Sequence, residues 1–388
     1  MDISDIFPVD GKFQRIYCTK CGGHSDLAFK NFDEKVSTVS ICIEGLPVLR
    51  CVTCGTENLP DLSRLAIIEV HRRATEQGEQ AVHVRRRKRT NNFGFTTVRF
   101  EYDPDDYYYI PGLTRPFDQG FLQPVFFNRI ALLKYENAPG YRVQFASTTY
   151  GTIYTEDQGY ISFGINRFGN LVMWLGDIAK LPQNEQYYLR SENIPSDHSI
   201  GSEFYDGQIE VKFTDPTAEN KLFKLRSAFI DACFVRFGCK IGHLESVAYD
   251  LALSFNPPVV DTPKERRHVA DTLNKIYLES FSNSALGNVV GLVNGYAKGS
   301  GSLKRLQAIL EAVAPTKDVP ALMLPLYVLY DFRVACSHLT SAGEGSLMAS
   351  VKQRLGLDQN DGLSPVYHSL ISRMTSSFEE MTIIVSEK

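Results

Sequence analysis

Cys18, Cys21, Cys51 and Cys54 form two Cys-x-x-Cys pairs with 29 residues between them. Zinc takes four soft ligands in a tetrahedron, and two such tight turns present two thiolates each. Gly22 and Gly55 directly follow the second cysteine of each pair, where glycine lets the backbone fold back so that its amides face the sulfurs. His24 and Cys42 are nearby decoys that fit neither pair. Four thiolates leave the ion no vacancy for a substrate, so the zinc is expected to be structural and to hold together a segment too small to fold on its own core. Redox-active or merely buried thiols are the competing reading. The remaining cysteines, Cys42, Cys233, Cys239 and Cys336, stand in mostly apolar surroundings. In a long chain without an export signal, that favours one metal site plus buried thiols over a disulfide framework.

Arg85, Arg86, Arg87, Lys88 and Arg89 are five consecutive cations, with His71, Arg72, Arg73 and His83 upstream. The formal net charge of −4 gives no global attraction to nucleic acid, so any such binding must come from local patches. The run reads either as a charge-balanced surface or as a phosphate-binding arm that releases counterions without reading sequence. Tyr107-Tyr-Tyr109 reads as packing rather than base stacking. Asp105-Asp106, Glu156-Asp157 and Glu379-Glu380 are acidic pairs without a partner constellation, and His243, His268 and His368 read as surface or core-edge residues. No phosphate-binding glycine loop, Gly-x-Ser-x-Gly or His-Glu-x-x-His occurs.

The elements that must position these groups fall into three regions. Val36–Ile43 is β-branched and partly alternating, a predicted strand between the cysteine pairs. Leu62–His71 is strand or short helix, and leads into the basic run. From Phe93 to Phe213 the signals are β-like: Thr96–Tyr102 reads as a strand, and Gly159–Gly164 with Asn170–Trp174 as a hairpin pair. Leu181–Tyr188 reads as a short helix begun by its proline. Beyond Phe213, Lys221–Leu253, Lys264–Phe281, Ser302–Ala314, Met323–Leu339 and Val366–Glu380 read as helices. The expectation is an α+β multidomain chain: 1–62 a zinc module, 63–92 a basic linker, 93–215 a β-rich middle domain and 216–388 an all-α domain. The acidic start, Met1-Asp2-Ile3-Ser4-Asp5, lacks the character of a signal peptide, and no stretch nears ~20 uninterrupted apolar residues, so a cytoplasmic protein without a membrane partner is expected.

The cysteine pairs resemble the knuckles of the zinc ribbon over about 45 residues; such modules dock nucleic acid or protein. The stretch Leu329-Tyr-Asp-Phe-Arg333-Val-Ala-Cys-Ser-His338-Leu, after the apolar Ala321–Tyr330, resembles the signature of the HEPN superfamily (higher eukaryotes and prokaryotes nucleotide-binding). Trp174 and Leu181–Arg190 are similar to a middle region of bacterial proteins that end in such domains. The resemblance implies a helical bundle, a homodimer with facing motifs, and a metal-independent ribonuclease site. In that site His338 would be the acid/base and Arg333 the phosphate clamp, acting on RNA in a toxin or in abortive-infection defence against phage, with a phage-derived trigger or a regulatory partner. The family often carries Asn, Asp or His after the arginine; here it is Val334, while Asp331 is placed to orient the arginine. Five residues of ideal helix turn the two side chains roughly 140° apart, so convergence needs a helix distortion or the partner protomer. The rival expectation is a non-catalytic, antitoxin-like regulator that binds nucleic acid or protein and dimerises through its helices.

Overall fold

Sheets occupy the N-terminal half and helices the C-terminal half of the computed structural model, which describes residues 1–8, 15–155, 159–295, 301–337 and 344–387. The chain divides into two units, Met1–Asp215 and Pro216–Lys388.

In the first unit, β1 (Ser25–Val36) and β2 (Val39–Cys51) form a long antiparallel hairpin, in register from Ser25↔Cys51 to Val36↔Val39. The predicted strand Val36–Ile43 is thus broken at its second residue. Ser37 adopts a φ of 49°, and its hydroxyl accepts a hydrogen bond from the Ile3 amide at 3.2 Å. β3 (Glu57–Asn58) pairs with β2, and α1 (Asp61–Gln77) follows. β4 (Ala81–Arg85) then returns to pair parallel with β2, from Ser40↔Ala81 to Glu44↔Arg85.

Residues 63–92 are therefore not a linker. Ile67 and Ala74 of α1 are buried with Phe32, Val36, Ile41 and Ile43, so the core of the cysteine-bearing segment extends past residue 62. Arg72 and Arg73 pair with Glu69 and Glu76 one turn away along the helix, which spends their charge locally.

The second sheet begins after α2 (Pro104–Tyr109), whose cap Asp103 accepts from the Asp105 amide at 3.0 Å. β5 (Pro124–Phe127), α3 (Leu132–Asn137), β6 (Tyr141–Ser147), β7 (Tyr150–Thr155), β8 (Tyr160–Ile165), β9 (Leu171–Trp174), α4 (Leu175–Ile178), α5 (Gln183–Ser191), β10 (Asn193–Ile194) and α6 (Glu203–Gln208) follow. The strands form an antiparallel sheet in the order β10-β5-β9-β8-β7-β6. Its Phe126, Val172 and Trp174 are buried in one core with Phe204 of α6.

Thr96–Tyr102, expected as a strand, joins no sheet. Its backbone donors are taken by side chains instead: the amides of Thr97 and Val98 donate to Gln186 Oε1, and that of Glu101 to Asn193 Oδ1. Once these amides are satisfied, a neighbouring strand adds nothing to them.

The second unit is helical: α7 (Ala218–Phe237), α8 (Glu245–Ser254), α9 (Pro263–Asn274) with a π turn at Lys275–Glu279, α10 (Asn283–Leu292), α11 (Ser302–Val313), α12 (Val319–Ser337), α13 (Glu344–Leu355) and α14 (Leu363–Ser386). The predicted Lys221–Leu253 helix is two helices, because α7 stops at Gly238 in the left-handed region. By length and composition α12 is apolar enough to cross a membrane. Here Met323, Leu326, Val328, Leu329 and Phe332 are buried in the core with Phe378 and Met381 of α14.

Candidate functional site

The hairpin positions the four cysteines. Cys51 closes β2, and Cys18 and Cys21 precede β1, so pairing Ser25 with Cys51 brings the two knuckles together. The knuckles match in construction. Gly22 N–H donates to Cys18 O and Gly55 N–H to Cys51 O, with φ of 74° and 70° at the two glycines. Both conformations are left-handed and favour glycine. The sulfurs lie 3.6 Å apart for Cys18 and Cys54, and 3.5 Å for Cys21 with Cys51 and with Cys54. All four fall within 4.8 Å of one another. A tetrahedron with Zn–S bonds near 2.3 Å has edges of roughly 3.8 Å, so the cluster matches one tetrahedral ion in size.

Amide donors reach the sulfurs: Lys20 N–H donates to Cys18 Sγ at 3.4 Å and Cys54 N–H to Cys51 Sγ at 3.5 Å. The hydroxyl and amide of Thr56 push the Cys54 thiol down to about 6, and the Cys54 amide lowers Cys51. These donors favour thiolate, the ligating form, at Cys51 and Cys54. At Cys21 the Gly23 amide acts the same way, but the neighbouring sulfurs of Cys51 and Cys54 outweigh it and push the thiol up to about 12. His24 stays outside the cluster, with Nε2 3.0 Å from Asp206 Oδ1, and Cys42 lies on β2 away from it.

The basic run does not project freely. Arg86 forms a hydrogen-bonded pair with Asp105 and lies over the Phe29 ring at 4.6 Å; Lys88 reaches Asp103 at 3.1 Å; Arg89 lies 3.6 Å from Asp105. Arg85 lies 3.8 Å from Glu44, while Arg87 is exposed. Much of the run is therefore an electrostatic clasp on the N-terminus of α2, where burial of Asp105 pushes its carboxyl up to about 6. Asp105-Asp106 reads as an acidic pair without a constellation because its partners lie 16 to 92 residues away.

Asp106 belongs to a second constellation that was not legible in the sequence. It is fully buried and accepts from Ser196 Oγ at 2.6 Å, while its other oxygen lies 2.7 Å from His198 Nδ1. Burial pulls the imidazole down, but the hydrogen bond and charge of Asp106 outweigh it and raise His198. A buried carboxylate on Nδ1 fixes the ring, the arrangement that orients a histidine in many sites. His198 itself sits at a φ of 62°.

Glu185 forms a third cluster, on a cleft of about 940 Å3 between β6, β8 and α5. It accepts from Lys134 Nζ at 2.6 and 2.7 Å, from Tyr135 at 3.0 Å and from Tyr141 at 2.9 Å, and these partners together hold it below the usual range despite burial. The Trp174 indole N–H, also on that cleft, is buried without a partner among the described residues.

In the helical unit, Arg333 lies in the last two turns of α12, and His338 lies outside the described residues, as do Glu156 and Asp157. Asp331 does not orient Arg333; it pairs with Arg354 of α13. The carboxylate beside Arg333 is Asp271 of α9, with Oδ1 3.4 Å from Nε and also accepting from Ser337 Oγ at 3.1 Å. One turn earlier on α9, Arg267 donates to the Cys336 carbonyl at 3.3 Å. His243 and His368 hydrogen-bond to the backbone carbonyls of Glu279 and Ser364, each at 2.8 Å. Compared with known proteins, the chain matches no family model, no curated protein and no solved structure.

Proposed function

We propose that the chain is a metal-independent endoribonuclease of the HEPN type, acting as a dimer in phage defence or as a toxin. Its N-terminal unit, holding a structural zinc ion on Cys18, Cys21, Cys51 and Cys54, would sense or bind. The observation that supports it is the state of Arg333. Its side chain is 38% exposed beside Asp271, while its Nε is buried without a hydrogen bond to a described residue. Asp271 then holds the Nε side of the group near one place, and the exposed part of the guanidinium can meet a phosphate.

In this reading the 2′-hydroxyl of RNA attacks the adjacent phosphorus and the 5′-oxygen leaves, giving a 2′,3′-cyclic phosphate and a 5′-hydroxyl. His338 moves the proton and Arg333 stabilises charge developing on the phosphoryl oxygens. Asp271 holds the arginine and Arg267 adds positive charge on the same face.

The test is to incubate the full chain, its zinc left in place, with transfer RNA and total RNA in buffer without added divalent metal, with and without an extract of phage-infected cells. Cleavage to cyclic-phosphate ends is expected, falling by about 10²–10⁴ in His338→Ala and in Arg333→Ala while the helical circular dichroism is kept. RNA left intact under every condition, or cut equally well by His338→Ala, refutes the reading.

A further inference from the structure

The segment after the basic run folds into two depressions that share a wall. The first, of about 510 Å3, is lined by Lys88, Arg89, Arg99 and Arg190 together with Asn91, Asn92 and Tyr102. The second, of about 400 Å3, is lined by Asn91, Asn92, Phe93, Gly94, Phe95 and Gln119. Asn91 and Asn92 belong to both.

The two halves differ in chemistry. In the first, Lys88 and Arg89 are held by the buried carboxylates of Asp103 and Asp105, and Arg89 also lies 4.2 Å over the Tyr108 ring. Arg99 and Arg190 are exposed, and among the described residues neither has a carboxylate within 4 Å; Arg190 has only a long bond to Asn193 Oδ1 at 3.4 Å. Glu101 is the acid on this wall, so even with the two buried carboxylates beneath, positive charge is in excess. In the second, Phe95 is 37% exposed and rests edge-on against Phe121, while Phe93 packs among Tyr102, Tyr107 and Tyr108. The amides of Asn91, Asn92 and Gln119 border these rings.

We infer that this groove binds single-stranded nucleic acid, with a backbone phosphate among Lys88, Arg89, Arg99 and Arg190 and an adjoining base stacked on Phe95. Cations that track a backbone beside an aromatic face that accepts any base are the two components of sequence-tolerant strand binding. Asn91 and Gln119 each donate to the Tyr108 hydroxyl, and Asn92 accepts from that of Tyr102. That leaves the carbonyl oxygens of Asn91 and Gln119 and the NH2 of Asn92 for base edges, without the repulsion a carboxylate would bring. That the strand is RNA rests on the ribonuclease reading; the groove itself does not. Arg99 and Arg190, absent from the basic run, are the cations left free of carboxylate partners. The clasp residues Lys88 and Arg89 contribute mainly position.

Binding of a fluorescent ten-nucleotide RNA to the full chain, measured by anisotropy in the His338→Ala background so that no strand is cut, tests this. Arg99→Glu/Arg190→Glu should weaken binding at least tenfold. It should also flatten the salt dependence by about 0.7 in slope, the value for one lost single-strand phosphate contact. Arg142→Glu/Lys224→Glu, which changes net charge equally at exposed positions elsewhere, should change affinity less than twofold. Phe95→Ala should weaken binding about fivefold or more with the salt slope kept. Arg99→Gln/Arg190→Gln gives the same direction with less charge change, should the glutamates disturb folding. Absence of binding by the parent, equal losses in the two charge-reversed pairs, or competition by a nucleoside monophosphate as effective as the decamer would each overturn the inference. Cleavage in the earlier assay is scored separately, so the groove fails or holds independently of the catalytic residues.

Discussion

Replacing one ligand of the cysteine cluster leaves three thiolates and an incomplete tetrahedron. Cys51→Ser is expected to reduce bound zinc from one per chain to near none by metal analysis, and to expose the β1–β2 hairpin to proteolysis. Metal binding supplies about 10–16 kcal/mol in small zinc modules, so no single core contact compensates for its loss. A variant that kept full zinc and protease resistance would remove Cys51 from the ligand set.

At His198 the expected effect depends on pH. Its folded-state value is raised by Asp106, so its contribution to stability is fully present below the unfolded value of about 6.5 and disappears as pH rises through the raised one. The thermal midpoint lost in His198→Asn should therefore be larger near pH 6 than near pH 9; a loss that is the same at both would sink this account. The cysteine cluster was legible in the sequence because its ligands are local pairs with a fixed spacing. The Asp106–His198–Ser196 group was not, since neither spacing nor composition records that residues 90 apart meet.

Among the elements, α7, α8 and the π turn are joined by one buried cation. Arg226 has no exposed surface, bonds both oxygens of Glu245 at 3.0 Å and reaches Ser280 Oγ at 2.7 Å. Arg226→Ala leaves Glu245, itself partly exposed, without its partner and opens a cavity. A loss of about 2–4 kcal/mol in denaturant unfolding of the helical unit is expected, and a change under ~0.5 kcal/mol would contradict it.

Gly120 is tied to one residue in a different way. At a φ of 88°, a Cβ there would lie 2.2 Å from the Phe93 ring. Gly120→Ala should cost about 1–3 kcal/mol and displace Phe93, visible as a change in near-ultraviolet circular dichroism.

Long helices such as α9, α11 and α14 were legible from apolar spacing. α10 was not, because Gly287 and Gly291 interrupt a ten-residue helix. The stretch 63–92 was misread because the parallel pairing of Ser40 with Ala81 has no local signal, and its charges concealed a helix with only three buried positions. Thr96–Tyr102 has the composition of a strand, but Gln186 and Asn193 satisfy its amides.

For the whole molecule, the boundary at Asp215 and Pro216 separates the unit that carries the cysteine cluster from one whose core owes nothing to it. Residues 216–388 expressed alone should unfold cooperatively at a midpoint unchanged by EDTA, whereas in the full chain EDTA should lower the unfolding of the first unit. A chelator shift in the isolated helical piece would refute this division. The α+β architecture was legible from the change in periodicity near Phe213. The merging of the first three expected regions into one unit was not, because it depends on pairs such as Arg86 with Asp105 and Arg167 with Asp26.

The position of the cysteines at the base of the β1–β2 hairpin bears on how the chain is made. All four ligands have left the ribosome once Cys54 has emerged, whereas Asp206, which holds Tyr17 and His24 beside the first knuckle, follows 152 residues later. At the usual 5–20 residues per second, that is roughly 8–30 s of synthesis. During this interval the emerging hairpin has its metal ligands but neither the far side of its own unit nor any of the helical one. Metal supply would then act on this protein chiefly during translation, when an unfilled cysteine cluster leaves a long exposed hairpin free to pair with its neighbours on the same message.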